Sequence, residues 1–174
     1  TDTPLYLYKP DTMFVLQNYM ITMMPFYNNK DLFYFCHQQQ INMKCANNIG
    51  ESLENAIKFL HEHQLSHLDI KPDNILVLHD HSIRLIDFEH MSHWSQPFQI
   101  TGTKGYMLPN TTEITDDIME KADWYAFGKT ILHLLSHVHQ FQYICFNILE
   151  NTHYQPPKQL PELLRKAIGY TTIT

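Results

Sequence analysis

Ser66-His67-Leu68-Asp69-Ile70-Lys71-Pro72-Asp73-Asn74-Ile75-Leu76-Val77, followed shortly by Leu85-Ile86-Asp87-Phe88-Glu89, is the most informative stretch of this chain. A short apolar strand leads to Asp69, and Pro72 marks a turn that carries Lys71 and Asn74. Two apolar runs, Ile75–Leu78 and Ile83–Ile86, are separated by the polar His79-Asp80-His81-Ser82 and predict a hairpin. Such a hairpin returns Asp87 to the mouth it left at Asn74. Two acids, a lysine and an amide then converge on one point.

Those groups suit phosphoryl transfer, which asks a protein to place a hydroxyl, offset phosphate charge and hold magnesium. Asp69 would accept or orient the attacking hydroxyl, and Lys71 would offset charge on the transferred group. Asn74 and Asp87 would supply hard oxygen ligands to Mg2+, which keeps few protein ligands. The order His67-x-Asp69-x-Lys71-x-x-Asn74, then Asp87-Phe88, resembles the catalytic and metal-binding loops of the eukaryotic protein kinase family. The resemblance implies a kinase-like α+β fold, mostly helical, with a few strands and a catalytic hairpin. It also implies ATP and Mg2+ as cofactors.

Further matches follow in order. Gly102-Thr103-Lys104-Gly105-Tyr106-Met107-Leu108-Pro109-Asn110 resembles the family's substrate-docking end of the activation loop, G-T-x-x-Y-x-A-P-E. By that resemblance Thr103 would hydrogen-bond Asp69 and Lys71, a contact associated with Ser/Thr substrates. Ala122-Asp123-Trp124-Tyr125-Ala126-Phe127-Gly128 resembles the start of the family's buried central helix, most like kinases of the AGC type. Asp123 would brace the catalytic loop, and an aspartate before an apolar helical run also reads as an N-cap.

Upstream, Leu5–Tyr8 and Phe14–Leu16 flank Lys9-Pro10-Asp11 and predict a hairpin, with Tyr19–Met24 as a further strand. Helices are predicted at Asp31–Gln38 and Ile49–Glu62, from Trp124 through Val138, and at Leu160–Ile168 with Gly169 as C-cap. Placed beside the family, residues 1–27 correspond to the end of the small lobe and the hinge, and residues 28–174 to the helical large lobe. Met24 then falls at the gatekeeper, Pro25, Phe26 and Tyr27 at the adenine-binding hinge, Asp31 near the ribose, and Leu76 beneath the base.

Composition narrows the setting. A net charge of −6 disfavours non-specific contact with nucleic acid or anionic membrane and favours basic peptides as partners. Three cysteines without C-x-x-C spacing indicate neither a disulfide framework nor a zinc ribbon, so an intracellular, reducing compartment is expected. His133 and His137 lie one turn apart but lack a carboxylate or cysteine to complete a metal shell. Met13, Met20, Met23, Met24 and Met43 read as core or pocket lining.

The chain also departs from the family. Its five glycines form no G-x-G-x-x-G, and no strand lysine of the V-A-I-K kind occurs. The resemblance therefore implies a fragment or a trimmed kinase, with a start at Thr1 favouring the fragment, and a missing small-lobe segment or a regulatory protein as a partner. Leu68 replaces the arginine that often precedes the catalytic acid, removing the usual clamp for a loop phosphate. Asn110 replaces a glutamate, and Glu89 replaces the glycine after Asp87-Phe88. A binding-only pseudokinase is the alternative reading; a small-molecule kinase is a third, suggested by Asp87-Phe88-Glu89 and opposed by Lys71 and the docking segment.

Overall fold

The computed structural model describes residues 4–9, 11–17, 19–23, 26, 30–96, 102–109, 115–151 and 153–172. Strands β1 (Thr12–Leu16) and β2 (Tyr19–Met23) form an antiparallel hairpin in the register Leu16↔Tyr19 to Thr12↔Met23. This corrects the expected pairing across Lys9-Pro10-Asp11. Gln17, at φ +55°, opens a two-residue connection, the length whose twist suits adjacent antiparallel strands. Leu5–Tyr8 takes another partner. Leu7 is buried and bridges Leu85 in parallel, with the Tyr8 amide donating to the Leu85 carbonyl at 3.0 Å.

Helix α1 (Leu32–Gln38) starts at Asp31, whose carboxylate accepts the Tyr34 amide at 2.7 Å. Helix α2 (Met43–Glu62) begins six residues before the predicted Ile49, because Asn42 caps it by accepting the Cys45 amide at 2.9 Å. Its buried stripe runs from Cys45 and Ala46 through Ile49, Leu53, Ala56, Ile57 and Leu60. The chain then forms β3 (Leu65–Ser66), a 3-10 turn at Pro72–Asn74, and the hairpin of β4 (Ile75–Val77) and β5 (Ile83–Leu85). Strand β6 (Ser92–His93) pairs antiparallel with β3.

Helix α3 (Asp116–Ser136) is the hub. It buries Met119, Asp123, Ala126, Phe127, Gly128, Thr130, Ile131, Leu132, Leu134 and Leu135, which leaves almost no polar face. It packs on α2, on α4 (Gln142–Glu150) and most extensively on α5 (Glu162–Thr171). Trp124 stacks on Tyr170 with ring centroids 4.9 Å apart. A Cβ at Gly128 would meet the Ala167 carbonyl oxygen at 2.7 Å, so glycine is what lets the α3 and α5 backbones approach.

Three sequence expectations change here. Thr115, not Asp123, caps α3, placing Asp123 inside the helix on a fully buried face. Gly169 lies within α5, which continues to Thr171. Met13 and Met23 are exposed rather than packed, while Met43 lies against the core. Among the described residues no helix is long and apolar enough to cross a membrane, and Cys36, Cys45 and Cys145 are free and buried.

Candidate active site

The segment from β3 to β4 cannot follow regular structure, because it must turn sharply while presenting Asp69 and Lys71 on one side. Leu68 takes a left-handed φ of +67°, an uncommon conformation for a branched residue. Asp123 holds it there. One carboxylate oxygen of Asp123 accepts the Leu68 amide at 2.8 Å, and the other accepts the His67 amide at 2.9 Å and His61 Nε2 at 3.0 Å. His67 adds a second tie, since its Nε2 donates to the Ile86 carbonyl at 3.0 Å and its Nδ1 accepts the Asp69 amide at 3.3 Å. Burial lowers the His67 pKa, outweighing the opposite pull of nearby acids, which keeps the ring neutral for both bonds.

Asp69 is 5% exposed and surrounded by donors. Lys71 Nζ reaches Oδ2 at 2.8 Å and Asn74 Nδ2 reaches the same oxygen at 3.0 Å. Oδ1 accepts the Thr103 amide at 2.9 Å and the Thr103 hydroxyl at 2.8 Å, while Lys71 donates to Thr103 Oγ1 at 2.7 Å. Burial pushes the Asp69 carboxyl up, but the bonds from Lys71 and Thr103, the lysine charge and the Asn74 bond hold it below its usual range. The group is therefore an anion at neutral pH.

Asn74 also donates Nδ2 to the Asp69 carbonyl at 2.9 Å. With its nitrogen so engaged, Oδ1 is the atom left for a cation. The Ile86 amide donates to the Asn74 carbonyl at 3.0 Å, which seats the end of β5 beside the catalytic turn and places the exposed Asp87 next in line at φ +62°. Asn74 and Asp87 both carry side-chain oxygens, the hard donor type that magnesium takes. Phe88 turns inward against the His67 ring at 5.2 Å, and Glu89 is exposed.

The activation segment approaches through Gly102. Its φ is +136°, and a Cβ there would lie 2.7 Å from the Leu68 carbonyl oxygen. Only glycine lets Thr103 come close enough to bond Asp69. The remaining candidates are less gathered. Leu76 lies mid-β4, half-buried, bridged to Asp31. Asp31 uses one carboxylate oxygen as the α1 cap, and Phe26 is almost fully exposed. Met24, Pro25, Tyr27 and Asn110 lie outside the described residues.

Two positions escaped the sequence reading. Gly102 lies in a motif whose other residues carry the resemblance, and His61 belongs to no motif. Its spacing, four residues after the buried Ile57, is a signal that it faces inward.

A family profile described as "Protein kinase domain" matches residues 7–164. This chain belongs to the protein kinase family. Curated relatives of the kinase include the human serine/threonine-protein kinase ULK3, 39% identical over 92 residues, covering 49% of this chain and 20% of that protein. Serine/threonine-protein kinase WNG1 of Toxoplasma gondii is 37% identical over 79 residues, covering 45% and 12%. Dual specificity protein kinase zak2 of Dictyostelium discoideum is 30% identical over 129 residues, covering 68% and 19%. The kinase chain thus spans no more than 20% of the length of these three relatives.

Proposed function

We propose that this chain carries the catalytic face of a serine/threonine protein kinase that transfers the γ-phosphate of ATP to a protein hydroxyl with Mg2+. The observation that carries the reading is the buried, ionised Asp69 held by Lys71, Asn74 and Thr103. Asp69 accepts or orients the substrate hydroxyl. Its carboxylate offers about four acceptor positions and receives four donors, so an arriving hydroxyl must displace one. Lys71 is the one suited to leave, being on a flexible stem with its side chain 20% exposed, and it can turn its charge toward the phosphoryl oxygens. Asn74 Oδ1 and the Asp87 carboxylate are the residues that would hold Mg2+. The metal supplies charge neutralisation at the phosphates when bound.

Residues 1–27 are assigned to the end of a small lobe with its hinge, and residues 28–174 to the large lobe. Met24, Pro25, Phe26, Tyr27, Asp31 and Leu76 are the proposed nucleotide contacts. A basic protein substrate is supported by the net charge of −6. The reading of a further polypeptide as partner, a small-lobe segment or a regulatory protein, is supported by the exposed apolar side chains Met13, Val15, Leu16, Tyr19 and Met23 of β1 and β2.

In the full protein, Asp69→Asn should lower turnover about 10²–10⁴-fold with little change in apparent ATP affinity. Asp87→Asn should instead weaken Mg2+-dependent nucleotide binding. Nucleotide binding that is indifferent to Mg2+, together with phosphate transfer unchanged by either substitution, would remove this reading and leave a binding module.

A further inference from the structure

A cleft of about 310 Å³ whose lining does not include Asp69 is formed by Lys58, His61, Glu62, Trp94, Glu120 and Trp124. At its base lies His61, with its side chain only 8% exposed. Its Nε2 faces the Asp123 carboxylate at 3.0 Å, and that carboxylate already accepts two backbone amides. A carboxylate in that position is an acceptor only, so Nε2 carries a proton, which leaves Nδ1 as an acceptor in the uncharged tautomer. This Nδ1 is buried and has no hydrogen-bond partner among the described residues. Glu120 Oε1, 3.9 Å from Nδ1, is another acceptor.

The wall chemistry matches what Nδ1 lacks. Glu62 and Glu120 put two carboxylates at the rim, and Glu62 makes no ion pair among the described residues. Lys58 is turned away, with Nζ bound to Glu54 at 2.7 Å. Trp94 already donates its indole N–H to Ser66 Oγ at 2.8 Å, so it brings its ring rather than a donor. Both indoles flank His61, with centroids 5.7 Å and 5.6 Å from the imidazole. We propose that this cleft binds a guanidinium, the side chain of an arginine presented by a peptide or protein. A planar cation with several N–H groups can donate to Nδ1 and to both carboxylates while lying against indole; an ammonium is a point charge without that fork. The site is separate from phosphate transfer, but it meets the catalytic turn through His61 and Asp123.

The two tryptophans of the chain both line the cleft, so intrinsic fluorescence reports it directly. The full chain is titrated with a short blocked Gly-Arg-Gly peptide, with its citrulline and lysine counterparts, and the arginine titration is repeated on the Glu62→Gln/Glu120→Gln variant, whose exposed side chains leave packing intact. The expected result is a saturable change with the arginine peptide, and affinity at least about tenfold weaker for citrulline, for lysine and in the variant. No saturable change, equal affinity for citrulline, or full affinity in a variant that melts like the parent would overturn the site. Equal affinity for lysine would overturn the guanidinium assignment.

Discussion

Asp123→Asn tests whether the catalytic turn is held from beneath. Oδ1 takes the Leu68 amide, while Oδ2 takes the His67 amide and His61. An asparagine offers one acceptor oxygen, and in either orientation its NH2 group faces a backbone N–H that needs an acceptor. A buried donor left without a partner costs about 1–3 kcal/mol. A chain of this size shifts its melting temperature by roughly 2–4 °C per kcal/mol, so the drop should be about 2–12 °C. The loss is also local, because Leu68 sits at φ +67° and relaxes once its amide is released. Calorimetric melting combined with amide hydrogen exchange checks both parts, with the His67 or Leu68 amide losing protection beyond the global change. A shift of Asp69 by about 1 Å would lower turnover of the full protein by roughly 10²-fold. A variant that melts within about 1 °C of the parent and protects both amides equally would refute the brace.

Gly102→Ala forces a Cβ against the Leu68 carbonyl at 2.7 Å on a backbone of φ +136°, so Thr103 should withdraw from Asp69. Turnover should fall by at least about tenfold in steady-state assays of the full protein, more than the change in melting temperature explains. His133 packs against His37 of α1 and His137, the C-cap residue of α3; burial, then the charges of those two rings, lower its pKa from 6.5 to about 4, with Asp73 pulling the other way. Because the folded state binds this proton less readily than the unfolded one, stability should be full above pH 6.5 and fall between there and about pH 4. His133→Phe should flatten that part of a melting-temperature profile, and an unchanged slope would count against it. Glu89→Gly should keep activity within about tenfold, or roughly 1.4 kcal/mol, since the proposed ligands Asn74 and Asp87 already match the few protein ligands magnesium takes. A thousandfold loss without loss of stability would make Glu89 part of the site.

Legibility followed the range of the interactions. Asp69, Lys71 and Asn74 are spaced within one turn, and local apolar patterning announces the strands on either side, so their convergence could be read without coordinates. The β4–β5 hairpin was legible for the same reason. Helix ends were harder. Asn42 and Thr115 cap α2 and α3 by bonds to amides three residues on, and several polar residues nearby could equally have served. Helix α4 was not predicted at all, since its short, mostly apolar run shows too little polar contrast to define a face.

What the sequence determined by itself was the chemistry: which acid, lysine, amide and hydroxyl types stand in which order, and hence the kinase family. What only the tertiary structure decided was how they are held. Asp123 sits mid-helix beneath the turn it braces, 55 residues from Leu68. Leu7 joins Leu85 rather than its neighbouring strand, and Gly102 permits an approach between segments more than 30 residues apart. The physical reason is that spacing reports the periodicity of a single element. Pairing of a buried donor with a distant acceptor depends on which elements the core brings together, and no local pattern records it.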